Sequence, residues 1–376
     1  MRVLVVSAPL TGHLLPMLPL AEALWEAGHD VLVATGGDAM GADTGELPVI
    51  DVARELSFTR IAARCMAAHP LDARAELAGT AGTRMVARLF GAVNEELSDA
   101  LVTVVDQWRP DVVVHEPLAV AGALAAARHD LPTVLLENSL FDGPALVRVT
   151  AASKMMLRAL RRHGLEESGL PEPEVLLTTG PRSVVGDRAG LPMRPMQRGG
   201  GEIPAWLRVP SSSGDRLDRP RILVSRSTVP GPGADPMPAA LAVAGEVDAE
   251  IVLIRPDSRT ARRAQGSPHV RTVGWVPLTD VMPLCAAIVH HGGAGTSVGA
   301  LSAGVPQLAV PGPGDRRHNA ELVARRGAGL AGKVTAEALH RLVVDGELAA
   351  NAREVRAELE AMPPPEAYVP AIAALD

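Results

Sequence analysis

Two runs of short β-branched strands alternating with helix-patterned segments, parted by a Pro- and Gly-rich stretch, predict an α/β chain of two facing Rossmann-like domains with an interdomain cleft. A length of 376 residues, 47% hydrophobic and 21% charged, suffices for two cores. Each half also carries a Gly- and His-bearing turn directly after a strand, at the carboxyl edge where open α/β sheets bind ligands.

In chain order, Arg2 to Ala8 is apolar without alternation, as in a central parallel strand buried on both faces. Leu14 to Ala27 has helix spacing at Leu20, Leu24 and Ala27, with Pro16 in the first turn and Gly28 as a stop; Val31 to Ala34 is the next strand. This βαβ start places Thr11-Gly12-His13 over the sheet edge. A helix N-terminus disfavours imidazolium, so His13 is expected to be neutral and a candidate general base; a histidine that only caps the helix is the alternative.

Gly36 to Leu47 reads as a loop, and Thr83 to Trp108 as a long amphipathic helix whose stripe of Val86, Phe90, Val93, Leu97, Leu101, Val104 and Trp108 builds core. Asp111 to His115 is a buried strand ending in Glu116, on the same edge as His13. A carboxylate there can take one ring N–H, fix the tautomer and stabilise the imidazolium; a solvated strand-end Glu is the plainer alternative. Leu118 to His129 is a small-residue helix, Thr133 to Leu136 a strand, Ala145 to His163 a helix, and Val175 to Thr179 the last strand of the first domain. Glu137 to Phe141, with Asn138 and Phe141, is a second candidate pocket segment.

Gly190 to Pro220 has little core potential and reads as the interdomain linker. Domains are expected at 1–205 and 206–360, with a terminal segment 361–376. The second pattern has strands at Arg221 to Val224, Ile251 to Ile254, Val270 to Val273, the run into His290, and Gln307 to Val310. Helices are expected around Ala239 to Gly245 and from Asp315 and Thr335.

The run Val289 to Ser297 reads as strand, glycine turn, helix, where free N–H groups and the dipole converge on a spot that suits a diphosphate. Gly292-x-x-Gly295 is neither a P-loop nor the full dinucleotide fingerprint. One histidine of His290-His291 can donate to a phosphate oxygen while its neighbour faces the fold; a core pair beside a tight turn is the alternative.

A net charge of −7 argues against a nucleic-acid partner, and the two cysteines, Cys65 and Cys285, suggest neither disulfides nor a metal cluster. No apolar run reaches the ~18 residues of a membrane span, and the amino-terminal run lacks a cleavage-type site, so a cytoplasmic protein is expected.

The order of Thr11-Gly12-His13, Gly274-Trp275-Val276-Pro277, His290 to Thr296 and Asp315 to Ala320 resembles the signature of nucleotide-sugar-dependent glycosyltransferases of the GT-B type. The likeness is to the bacterial enzymes that place deoxysugars on antibiotic natural products, the calicheamicin-type enzymes among them. It implies that His13, with an acidic partner in Glu116, removes the acceptor's hydroxyl proton; Gly12 beside it, and Asn138 and Phe141 of the second pocket segment, are the candidate acceptor contacts. It implies a nucleobase stacked on Trp275 and met by the Val276 backbone, and a diphosphate held by His291, Gly293, Gly295 and Thr296, within reach of Ser227 and Thr228. Asp315 would bind donor-sugar hydroxyls, and the tail would cross back to the first domain.

Two departures stand out: Arg226-Ser227 where relatives have Gly-Thr or Gly-Ser, and Arg316 where they have Gln. Either Arg can bind phosphate or fill the space it needs. The function implied is inverting, metal-independent and cofactor-free transfer of a deoxysugar from a TDP- or UDP-sugar to a hydroxyl of an apolar natural-product aglycone, without a membrane. A catalytically silent partner protein and a nucleotide-sugar epimerase are the alternatives, and pairing as a homodimer is left open.

Overall fold

The computed structural model describes residues 1–165, 169–196, 200–208, 219–227 and 235–375. The first parallel sheet holds β1 (Arg2–Val6), β2 (Asp30–Thr35), β3 (Val49–Asp51), β4 (Val112–His115), β5 (Thr133–Leu136), β6 (Val175–Thr178) and β7 (Leu191–Pro192). Their order is β3-β2-β1-β4-β5-β6-β7. The second comprises β8 (Arg221–Ser225), β9 (Glu250–Ile254), β10 (Val270–Val273), β11 (Ala287–His290), β12 (Gln307–Ala309) and β13 (Gly329–Ala331), ordered β10-β9-β8-β11-β12-β13. This is the two-domain α/β architecture that the alternating pattern predicts.

In each sheet the strand order reverses at one place, between β1 and β4 and between β8 and β11. Loops leaving such a pair diverge to opposite faces and open a crevice at the carboxyl ends, where open α/β sheets take ligands. Val6 pairs with His115 and Val224 with Val289, so the residues just beyond these strands stand over the two crevices. His13 and Glu116 flank the first; Ser227 and His291 flank the second.

Several elements differ from expectation. The helix expected over 145–163 is two helices, Gly143–Ala151 and Lys154–Arg162, because the Ser153 hydroxyl accepts the Met156 N–H and starts the second. Strand β6 is not the last of its sheet: β7 pairs outside it, although two residues are too few to show a period. Part of the expected linker is structured as well. Helix Ala205–Arg208 buries Leu207 among Leu223, Val252 and Ile288 of the second domain, and Ile203 and Trp206 pack beside it.

Apolar packing also joins the halves. Leu140 and Val184, from the first, share a cluster with Leu301, Val323, Val355 and Leu359 of the second. The tail returns to the first sheet, where Tyr368 and Ile372 pack with Val3, Val5 and Leu18. Among the described residues no helix is long and apolar enough to cross a membrane.

Candidate active site

The loop after β1 turns at once into the short helix Thr11–Leu14, held by the Thr11 N–H donating to Asp38 Oδ1 at 3.0 Å. His13 Nδ1 lies 3.1 Å from Glu116 Oε1; the His13 side chain is 23% exposed and that of Glu116 wholly buried. Glu116 is locked from the other side by N–H groups of Ala8, at 3.1 Å to Oε1, and Leu118, at 2.8 Å to Oε2. Burial raises the Glu116 pKa, but the His13 charge and these hydrogen bonds outweigh it and hold the group below its ordinary value. An ionised carboxylate only accepts, so Nδ1 carries the proton and Nε2 keeps its lone pair for a substrate.

The expectation that His13 is kept neutral by a helix dipole fails. Burial lowers its pKa, but the charge and hydrogen bond of Glu116, then Asp315 and Asp38, outweigh this and raise it above 6.5. The helix is one turn long with His13 near its end, so its dipole is small beside a carboxylate in contact. Asp315 belongs to the second domain, and its effect on His13 places the two halves of the site within electrostatic reach.

All three phenylalanines of the chain share one apolar cluster, whose Phe90 lies against His13. The ring of Phe90 lies 5.4 Å from the imidazole and 6.0 Å from Phe58, and Phe141 joins them with Leu10, Val86 and Leu118. Asn138 Nδ2 donates to His13 O at 3.4 Å. Phe141 stacks on His318 of the second domain at 4.0 Å, and His318 Nε2 lies 3.4 Å from Leu140 O. Gly12 is exposed beside this apolar wall.

On the second sheet the adjacent histidines divide. His290 is buried, its Nε2 2.8 Å from Gln307 Oε1 while its Nδ1 accepts the Gly292 N–H at 3.0 Å; burial brings it down to about 4. His291 turns its ring at 86° to that one, and burial, His290 and Arg316 take it down to about 3. Both rings are therefore neutral near pH 7. Buried Nδ1 of His291 has no hydrogen-bond partner among the described residues. Gly293 is needed as glycine, since a Cβ there would sit 2.4 Å from His291 Nε2.

Gly293 caps the helix Ala294–Ala303, which opens with Gly295 and Thr296 in its first turn. The first amide is already engaged: Ala294 N–H donates to Asp315 Oδ2 at 3.2 Å, and Asn319 Nδ2 donates to the same oxygen at 2.7 Å. Asn319 also donates to Gly292 O at 2.9 Å, so it ties the turn to the loop. Arg316 is half-buried and donates from Nη2 to Ser227 Oγ at 3.1 Å, which sets a guanidinium between the ends of β8 and β11. Arg226 is near enough to Asp257 to help lower its pKa, after the hydrogen bonds from Thr260. Thr228 lies outside the described residues.

Trp275 is 63% exposed, a rare state for so large a ring, and lines a cleft of ≈ 390 Å³ with Glu202, Ile203, Pro204 and Gly274. The Val276 side chain is buried in the core below, which leaves its backbone to the cleft. Three contributors went unmarked in the sequence. Gln307 and Asn319 are buried amides that fix the turn, and Phe90 sits within a helix stripe that announces only core. A polar residue inside the apolar run at 307 was the one available signal.

The chain matches two family descriptions in tandem, "Erythromycin biosynthesis protein CIII-like, N-terminal domain" over residues 22–168 and the corresponding C-terminal domain over 239–375. It is 35% identical to elloramycin glycosyltransferase ElmGT of Streptomyces olivaceus, covering 97% of this chain and 95% of that one. Among solved structures, the glycosyltransferase SnogD from Streptomyces nogalater superposes with a TM-score of 0.80 at 33% identity, over 100% of this chain and 99% of that one. Spinosyn rhamnosyltransferase SpnG complexed with thymidine diphosphate gives 0.79 at 26% identity, over 99% and 100%. SpnG is also solved complexed with spinosyn aglycone. Two parallel-sheet domains, matched from end to end at these identities, make this chain a member of the erythromycin CIII-like glycosyltransferases of antibiotic biosynthesis, an enzyme of the GT-B fold.

Proposed function

We propose that this enzyme moves a deoxysugar from a TDP-sugar, with a UDP-sugar as the alternative donor, to a hydroxyl of an apolar aglycone, with inversion and without a metal. The carrying observation is the His13–Glu116 pair at the first crevice, within electrostatic reach of Asp315 at the second. Residues 1–205 take the acceptor, 206–360 the donor, and 361–376 return to the acceptor side.

His13 Nε2 removes the acceptor's hydroxyl proton while that oxygen forms a bond to the anomeric carbon. The anomeric bond to the diphosphate breaks, and its electron pair leaves with the nucleotide. Nucleophile and leaving group are held by opposite halves, so attack comes from the face away from the departing oxygen, which inverts the centre. Glu116 stabilises the imidazolium formed. Charge on the diphosphate meets the amides of Gly293, Gly295 and Thr296, a His291 N–H, and the cation of Arg316 beside Ser227. Arg316, where the family has Gln, adds a cation beside the diphosphate as it leaves. Trp275 stacks on the base, the Val276 backbone meets its edge, and Asp315 keeps one oxygen for sugar hydroxyls. The phenylalanine cluster, with Gly12 and Asn138 at its rim, suits an aromatic or otherwise apolar acceptor.

Turnover of a TDP-deoxysugar and an aromatic polyketide aglycone, with EDTA present, tests this. Wild-type protein should be active, with the anomeric configuration inverted, and His13→Ala should lose at least ~100-fold in kcat. Activity that survives in His13→Ala, or that EDTA abolishes, would refute the corresponding part.

A further inference from the structure

The cleft is bridged by a contact that the transfer chemistry leaves unused. Glu76, near the end of helix Pro70–Leu77, accepts the Gly314 N–H on Oε1 at 2.6 Å, across 238 positions of sequence. Beside it Arg317 Nη2 donates to Ala78 O at 3.3 Å. Gly79, at φ +67°, permits this approach: a Cβ there would lie 2.9 Å from Arg317 Nε and 3.1 Å from Gly312 O.

Both ends of the bridge are anchored. Asp72, one turn before Glu76, pairs with Arg84 at 3.2 Å and Arg88 at 3.0 Å. Both belong to the helix Arg84–Trp108, whose Phe90 lies against His13. On the far side, Gly314 directly precedes Asp315 and Arg316, which hold Ala294 N and Ser227 Oγ at the turn assigned to the diphosphate.

We propose that Glu76 is a positioning residue: it clasps the loop Gly314 to Arg317 to the acceptor half, so that donor affinity depends on a carboxylate the donor never touches. This rests on the donor-binding reading of that turn. An N–H donating to a carboxylate is charge-assisted and stronger than a neutral pair. Without it the loop must be ordered when the nucleotide binds, and that cost falls on affinity.

Hydrogen–deuterium exchange of the ligand-free protein reads the clasp itself, and calorimetry with TDP reads its consequence. In Glu76→Ala the peptide containing Gly314 should exchange several-fold faster than in wild type, and the TDP Kd should rise about fivefold, with little change in Tm because the group is half-exposed. Glu76→Gln keeps an acceptor oxygen but loses the charge, and should restore part of both. Unchanged exchange in Glu76→Ala overturns the clasp; faster exchange with unchanged TDP affinity overturns the positioning role. Wild-type protein that binds no TDP counts against the donor reading instead, while the exchange result still decides the clasp.

Discussion

His13 sits between two opposed influences, and the balance sets a pH response. Burial favours the neutral ring, while Glu116 in contact, with Asp315 and Asp38 further off, favours the cation and raises the pKa above 6.5. A base works only when deprotonated, so kcat/KM should rise with pH through that raised value and fall on acidification. Glu116→Gln removes the largest raising influence and leaves the desolvation. The acid limb should then move to lower pH, and the plateau should fall because the imidazolium loses its counter-charge. A pH–rate profile of the two proteins checks both shifts; an acid limb that stays in place would show that the limb belongs to another group. His13 and Glu116 were legible because each directly follows a recognisable strand or its loop. The protonation state was not, because it depends on a 3.1 Å contact between residues 103 positions apart, which no local pattern encodes. Trp275 was legible as a rare aromatic, but that its ring stands in solvent follows only from the fold.

At the scale of elements, the donor turn is rigid because a buried amide side chain stitches it together. Gln307, on β12, meets His290 Nε2 through its oxygen and Ser297 O through its nitrogen, joining β12, β11 and the helix Ala294–Ala303. His290 in turn accepts the Gly292 N–H at the start of the turn. Gln307→Leu keeps the volume but strands the buried Nε2–H of His290 and removes the tie to the helix at Ser297 O. It should therefore cost ~2 kcal/mol in chemical denaturation, weaken TDP binding, and leave the His13 pH limb unmoved. A variant as stable as wild type would show that the stitch is dispensable. Central strands such as β1, β4, β8 and β11 could be read because burial on both faces demands continuous apolar runs. Strands β3, β7 and β13 are two or three residues long at the sheet margins, where pairing follows from the neighbour and not from composition. The break at Ser153 was hidden for a related reason: apolar spacing continues across it, and only the cap marks the new start.

The backbone crosses between the halves twice, through the segment after β7 and again where the last long helix, Gly346–Ala361, gives way to the tail. Arg194 N–H donates to Pro363 O at 2.9 Å where these two crossings meet, and the Tyr368 hydroxyl donates to Pro192 O. Helix Val369–Ala373 then buries Ile372 completely among β1 and the helix Leu18–Glu26. A segment that follows the second domain in the chain therefore completes the core of the first. Shortening Ile372 to Ala leaves a cavity in that core and should cost about 2–4 kcal/mol. The loss should fall on the acceptor half alone: the donor groups stand on the other sheet, so TDP affinity measured well below the transition should stay within about twofold of wild type. A two-probe melt separates the cases, with near-ultraviolet signals following the whole fold and TDP binding following the donor half. If Ile372→Ala lowers Tm yet keeps nucleotide affinity, the tail serves as a structural member of the acceptor half. If affinity falls in step with Tm, the two crossings transmit the damage and the halves behave as one cooperative body.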